Sequence, residues 1–167
     1  MVLHYQIKKQ GFTLVELLIT IGIIGILATV TAVSIGNARA KARDSKRLTE
    51  VKQIQNALTL YQNENQAFPD SGGNTLTLGN GAGEYALLCN TASGFQKTKE
   101  ECGDAQVFIG TMPGDPLGND PYFYKYKSDS NNLNTYLMTF SLEAGTGNLQ
   151  KGVYEVTPAG IRAAGAQ

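Results

Sequence analysis

Lys8-Lys9-Gln10-Gly11-Phe12-Thr13-Leu14-Val15-Glu16-Leu17-Leu18 is the stretch on which the reading of this 167-residue chain turns. Two lysines lead to a glycine, and residues 17–35 then run for nineteen positions without a charge, rich in Ile, Leu, Val and Ala. As a helix rising ~1.5 Å per residue, that run is close to the roughly 20 residues needed to cross a bilayer core. Basic residues lie on both sides of it, so charge asymmetry gives no orientation. A removable secretory signal shares the basic-then-apolar order, with small-residue cut sites near Ala28 or Ala32. The length of the run, and its unbroken passage into a charged helical stretch, count against that alternative. Glu16 stands at the edge of the run, where an ionised carboxylate costs about 2.5–3.5 kcal/mol at a membrane centre and less near the interface. It reads either as the interfacial start of a helix beginning near Phe12, where a carboxylate suits the dipole, or as a buried charge whose cation comes from a neighbouring chain.

Working outward, the formal net charge of zero hides a polar arrangement. Residues 39–52 carry Arg39, Lys41, Arg43, Lys46, Arg47 and Lys52 against Asp44 and Glu50, whereas residues 53–167 hold six basic and eleven acidic side chains. This is a basic collar joined to an acidic head, and the collar reads as an interfacial anchor for anionic lipid headgroups. Nucleic acid is an unsuitable partner for such a head, because phosphate contacts need clustered Lys or Arg.

The quoted stretch resembles the cleavage and methylation motif of type IV prepilins: a short basic leader ending in Gly11, then Phe12, the lone Glu16 and an uninterrupted apolar helix. The resemblance implies that a prepilin peptidase/methyltransferase cuts between Gly11 and Phe12 on the cytoplasmic side and N-methylates the new amine of Phe12. It also implies that Glu16 is the assembly residue. Cleavage turns a peptide nitrogen into an amine that is cationic at neutral pH, so the Phe12 amine of one subunit can offset the Glu16 carboxylate of another. Family members often carry a proline inside the apolar helix. This chain has none, which leaves Gly22, Gly25 and Gly36 as its weak points.

Beyond the collar, Leu48, Val51, Ile54, Leu58 and Tyr61 recur at steps of three and four, widened by Ala57 and Leu60, as one apolar helical stripe. Nothing before Asn65 and Pro69 forces a stop, so the spacing predicts a helix over residues 12–63, about 78 Å long at 1.5 Å per residue. Residues 69–83 read as a loop by composition, with short apolar stretches at 84–88 and 106–109. In Tyr122-Phe123-Tyr124-Lys125-Tyr126-Lys127 the tyrosines alternate with Phe and the lysines, and residues 136–142 and 152–157 also read as strands. The expected fold is α+β and type IV pilin-like, with a long N-terminal helix on a small antiparallel sheet. Its divisions are 1–11 leader, 12–38 transmembrane and assembly helix, 39–65 amphipathic helix and 66–167 globular head. The connector Asp115-Pro116-Leu117-Gly118-Asn119 with Tyr122 and Tyr124, and the helix end with Tyr61, Asn65 and Phe68-Pro69, are similar to those of major pseudopilins of type II secretion. Those proteins typically carry a late calcium site. Here Glu143, Glu155 and Asp129 are too few hard oxygen ligands for one loop, so no metal and no cofactor is expected.

Cys89 and Cys102, the only cysteines, read as a disulfide if the head lies outside the cytoplasm, with two unpaired thiols as the alternative. His4 is the sole histidine and falls in the leader, so the mature chain lacks Ser-His and Cys-His pairs and no catalytic residue is expected. The leading function is structural: a subunit of a type IV pilus or pseudopilus, polymerised through its N-terminal helix with identical or related subunits on an inner-membrane assembly platform. The implied location is a single-pass inner-membrane protein bathed in lipid before assembly, with its head outside the cytoplasm, and then a surface pilus or periplasmic pseudopilus. The alternatives are a minor tip pilin binding DNA or surfaces, and a single-pass membrane-anchored secreted domain.

Overall fold

The computed structural model describes residues 11–79, 84–119 and 121–165. Lys8, Lys9 and Gln10 of the expected leader, the end of the 69–83 segment and Asp120 of the connector lie outside them. Helix α1 spans Leu14–Asn65, and the chain divides into two compact units, Met1–Arg39 and Ala40–Gln167.

In the first unit the large apolar side chains of α1 stand exposed, from Leu14 at 77% to Ile35 at 45%. The helix is long and apolar enough to cross a membrane by length and composition. Three of its hydroxyls are satisfied internally, because Thr20, Thr29 and Thr31 donate to the carbonyls of Leu17, Ile26 and Leu27. An apolar surface of that length therefore carries no unpaired hydroxyl at these positions, which is what a hydrocarbon environment demands.

The second unit is built on the remaining part of α1. Asp44, Arg47, Val51, Ile54, Leu58 and Tyr61 are all buried and follow one another at steps of three and four. The stripe read as apolar thus begins with two charged residues. Leu60, expected to widen it, is 54% exposed. Two positions from Leu58 is about 200° around a helix of 3.6 residues per turn, which puts Leu60 on the opposite side. At the helix end Asn65 Nδ2 donates to the Tyr61 carbonyl, and Gln66 takes the left-handed φ of 59° that turns the chain away.

Among the described residues eight strands form two sheets: β1 (Leu76–Leu78), β2 (Leu87–Cys89), β3 (Phe95–Gln96), β4 (Val107–Ile109), β5 (Tyr124–Asp129), β6 (Asn132–Thr146), β7 (Leu149–Thr157) and β8 (Gly160–Ala163). The larger sheet is antiparallel in the order β1-β5-β6-β7-β8, and the smaller in the order β3-β2-β4. Strand β1 lies inside the segment read as loop. A three-residue Leu-Thr-Leu alternation is too short to stand out against Gly-rich flanks, and its register is set by pairing with β5, where Leu76 faces Tyr126.

Strand β6 runs beside α1 in the opposite sense. Phe68 N–H, just past the helix, donates to the Leu133 carbonyl, while Ser45 Oγ meets Thr146 Oγ1 at 2.9 Å. Alternate residues of β5 and β6 therefore face the helix, and Tyr124, Tyr126, Tyr136, Met138 and Phe140 are buried with Ile54 and Leu58 in one core. The aromatic rings interlock, with Phe68 edge-on to Tyr136 at 4.8 Å and Phe95 tilted against Tyr126 at 4.7 Å. Tyr124, Tyr126 and Tyr136 are thus core residues of the sheet. Cys89 and Cys102 are bonded, with Cα atoms 5.8 Å apart, and close the loop that carries the short helix α2 (Lys99–Cys102).

Candidate functional site: the N-terminal motif and a buried arginine

Gly11, Phe12 and Thr13 lie outside the helix and are exposed. Thr13 is the N-cap. Its N–H and its hydroxyl both donate to Glu16 Oε2, at 2.9 and 2.7 Å, and Glu16 N–H returns a bond to Thr13 Oγ1 at 3.3 Å. This reciprocal box satisfies two backbone donors that a helix start otherwise leaves open, and it explains why the helix begins at Leu14 rather than near Phe12. The Thr-x-x-Glu spacing was visible in the sequence. Among the described residues, then, the Glu16 carboxylate is held by neutral donors and not by a cation.

A second constellation was not foreseen. Arg47, fully buried, makes a two-pronged contact with Asp115, through Nε to Oδ2 and through Nη2 to Oδ1 at 3.0 Å. Its Nη1 reaches Asp44 Oδ1 at 2.7 Å and also Glu143 Oε1, and the Tyr122 ring covers the guanidinium at 4.7 Å. Arg43 grips Glu143 from outside with two bonds of 2.8 and 2.6 Å. Asp44 also accepts the N–H groups of Glu143, Ala144 and Gly145, at 2.9, 2.8 and 2.8 Å. Those three amides are available because β6 bulges there. Leu142 pairs with Gly152 but Gly145 with Gln150, so β6 spends one residue more than β7 between these pairs. The bulge is a concave row of amides, and Asp44 is the anion that fills it. Beside it, Tyr124 donates to Glu50 Oε2 at 2.7 Å; burial and then that carboxylate push the phenol's pKa up.

The electrostatics follow the geometry. Burial alone would lower the pKa of Arg47, but its bonds to Asp115, Glu143 and Asp44 outweigh that and raise it. Burial would raise that of Asp44, and the three amides and Arg47 outweigh it and lower it. Hydrogen bonds from Arg43 and then Arg47 bring Glu143 down to about 2. A carboxylate whose folded pKa lies below its unfolded value, about 4 for these groups, adds stability that is present above the unfolded value and lost as pH falls toward the folded one. The melting temperature is therefore expected to hold from neutral pH to about 5 and to fall between about 4.5 and 2. Thermal unfolding followed by near-UV circular dichroism across that range, with Glu143→Gln flattening part of the acid limb, is the check.

These contacts change the reading of the collar. Arg47 is internal, Arg43 is engaged by Glu143, and Lys46 lies 3.5 Å from Glu50. Of the six collar cations only Arg39, Lys41 and Lys52 stand exposed without an ionic partner among the described residues. Two of the charges assigned to lipid headgroups, Arg43 and Arg47, instead tie the helix to the rest of the head. The signal for it was Arg47 itself, which lies on the helical stripe rather than off it. Glu143, weighed as a calcium ligand, has both oxygens committed to arginines.

Comparison with known proteins bears on the first of these constellations. Residues 7–32 match the prokaryotic N-terminal methylation motif. The chain is similar to type II secretion system core protein G of Vibrio cholerae, 28% identical over 78% of this chain and 80% of that one. It is likewise similar to core protein G of Escherichia coli, 29% identical over 68% and 70%, and to that of Aeromonas hydrophila, 28% over 83% and 88%. No solved structure gives a significant match.

Proposed function

We propose, from the premise that this chain is a prepilin related to the type II secretion core G proteins, that it is a structural subunit of a pseudopilus. The observation that carries the reading is the extent of the relationship. The alignments run over 131 and 140 residues, far beyond the motif at residues 7–32, so the head shares in the likeness as well as the leader. The exposed apolar part of α1 supports it, since such a surface is stable only in lipid or against other copies of itself.

On this reading residues 1–11 are a leader, the peptidase cuts between Gly11 and Phe12, and Phe12 is N-methylated. Residues 12–38 anchor the subunit in the membrane before assembly and form the polymer's core afterwards, with residues 39–65 and 66–167 making the head outside the cytoplasm. The disulfide between Cys89 and Cys102 suits an oxidising compartment. Before cleavage Phe12 offers only a peptide group. Cleavage supplies an amine that competes with Thr13 for Glu16, and Glu16 then pairs with the Phe12 amine of a neighbouring subunit and sets its register. The role is structural, without catalytic residues, metal or cofactor.

The test is mass spectrometry of the N-terminus in envelope and sheared surface fractions. An N-methylated Phe12 start confined to the envelope is expected, the same start in sheared material would assign the chain to a surface pilus, and a Met1 start in cells with an active peptidase would overturn the reading. Glu16→Gln refines it, because glutamine preserves the box with Thr13 while removing the charge. The polymerised fraction is expected to fall at least about tenfold, the equivalent of about 1.4 kcal/mol, in Glu16→Gln as in Glu16→Ala.

A further inference from the structure

The head carries unlike charge at its two ends. At one end an open groove of about 640 Å³ runs between the first head turn of α1 and the β6–β7 hairpin. Lys41, Ser45, Thr146, Gln150 and Lys151 line it, and no acid does. Asp44 and Glu143, next in sequence to lining residues, are both engaged by arginines. Lys41 and Lys151 are exposed and have no ionic partner among the described residues.

The other end is marked by Tyr61, whose hydroxyl donates to the Thr91 carbonyl at 2.8 Å and so fixes the disulfide-closed loop there. That loop presents Glu100 and Glu101, with Asp104 two residues past its closing cysteine, all exposed. Of its two lysines, Lys97 is drawn over the Tyr85 ring at 5.4 Å, leaving Lys99 among the three acids. Exposed Glu64 adds a further negative charge at the same helix end. From Ser45 to Tyr61 is about 24 Å along α1 at 1.5 Å per residue. The two surfaces therefore lie at opposite ends of the head segment of α1, too far apart to meet within one chain.

We infer that the Lys41–Lys151 groove receives the acidic disulfide loop of a second copy of this chain, stacked on it along the helix axis. The inference rests on the polymer reading above, which supplies parallel helices. Its own content is a second, electrostatic contact between heads. Two different patches on one subunit make a heterologous contact, which does not close and so extends as a filament. Surface charge of this kind selects partner and register more than it adds affinity, and salt screens it.

Zero-length carbodiimide cross-linking of a mixture of ¹⁴N- and ¹⁵N-labelled full-length chain, in detergent and in membranes, tests the contact. Peptides of mixed isotope joining Lys41 or Lys151 to Glu100, Glu101 or Asp104 are expected, with a several-fold lower yield in roughly 0.5 M salt. Lys41→Glu with Lys151→Glu is expected to abolish these links, and mixing that variant with Glu100→Lys/Glu101→Lys chains to restore links with the charges exchanged. Inter-chain links only elsewhere, or protection of both lysines by anionic vesicles rather than by a second chain, would overturn the inference. Failure of the polymer reading would be seen separately, as an unprocessed Met1 terminus.

Discussion

Arg47→Ala is expected to lower the stability of the head by about 3–5 kcal/mol, the range for removing one partner of a buried ion pair. The variant leaves Asp44, Asp115 and Glu143 facing the same buried point, with only Arg43 beside Glu143 as a neighbouring cation. Small domains are stable by roughly 5–15 kcal/mol, so this is a large fraction of the whole. Arg47→Lys is expected to recover little. An ammonium cannot span Asp115 with two parallel bonds and still reach Asp44 and Glu143. Arg43→Ala, at the partly exposed outer side of the cluster, is expected to cost about 1 kcal/mol or less. Urea unfolding of the full-length chain in detergent, followed by tyrosine fluorescence, ranks the three, and a midpoint for Arg47→Ala equal to that of the unaltered chain would show that the cluster does not hold the head.

The second large effect is expected at Gly145. Its φ is +92°, and a Cβ added there would lie 2.5 Å from the Leu149 carbonyl oxygen and 3.0 Å from the Gln150 backbone. The obstruction is main chain on the paired strand, which cannot swing aside as a side chain can. Gly145→Ala therefore adds backbone strain of about 1–3 kcal/mol to an overpacking term of similar size. Relief requires undoing the bulge, and that withdraws the Gly145 amide from Asp44. A loss of roughly 3 kcal/mol or more is the expected result, together with a weaker acid limb, because Asp44 then loses part of what holds its pKa down. Gly147→Asn provides the contrast. Its φ of +59° suits asparagine and nothing lies within 4 Å of the new Cβ, so the change is expected to stay within about 1 kcal/mol.

Much of this molecule could be read before its structure was known, and the exceptions share a cause. The apolar run, the helix end near Asn65 and the alternating strand through Tyr124 and Tyr126 are local patterns, and each appears where the pattern puts it. The helix start was local too, but depended on weighing Thr13 and Glu16 as a pair rather than Glu16 as an isolated charge. Strand β1 and the Arg47 cluster are of another kind. Leu76–Leu78 becomes a strand only because β5 lies beside it, and Arg47 is buried only because Asp115 and Glu143 come to it from distant parts of the chain. Composition counted Arg47 with Lys41 and Lys46 as one collar. Helical phase separates them, since Arg47 falls on the line from Asp44 through Val51 and Ile54 whereas Lys41 and Lys46 stay exposed.

The seating of Asp44 on the β6 bulge sets an order of events for a chain that is made from its N-terminus. Its three amide partners lie 99 to 101 residues later. Until that late segment is synthesised and delivered, Asp44 and Arg47 must stay hydrated just beyond an apolar helix that has already been made. Contacts so distant in sequence form slowly, because the intervening chain must be closed before they are gained. The head is thus a late-locking structure: its charged pins engage only when the C-terminal hairpin arrives, and a chain truncated before residue 143 would keep its helix but have no latch to close on it.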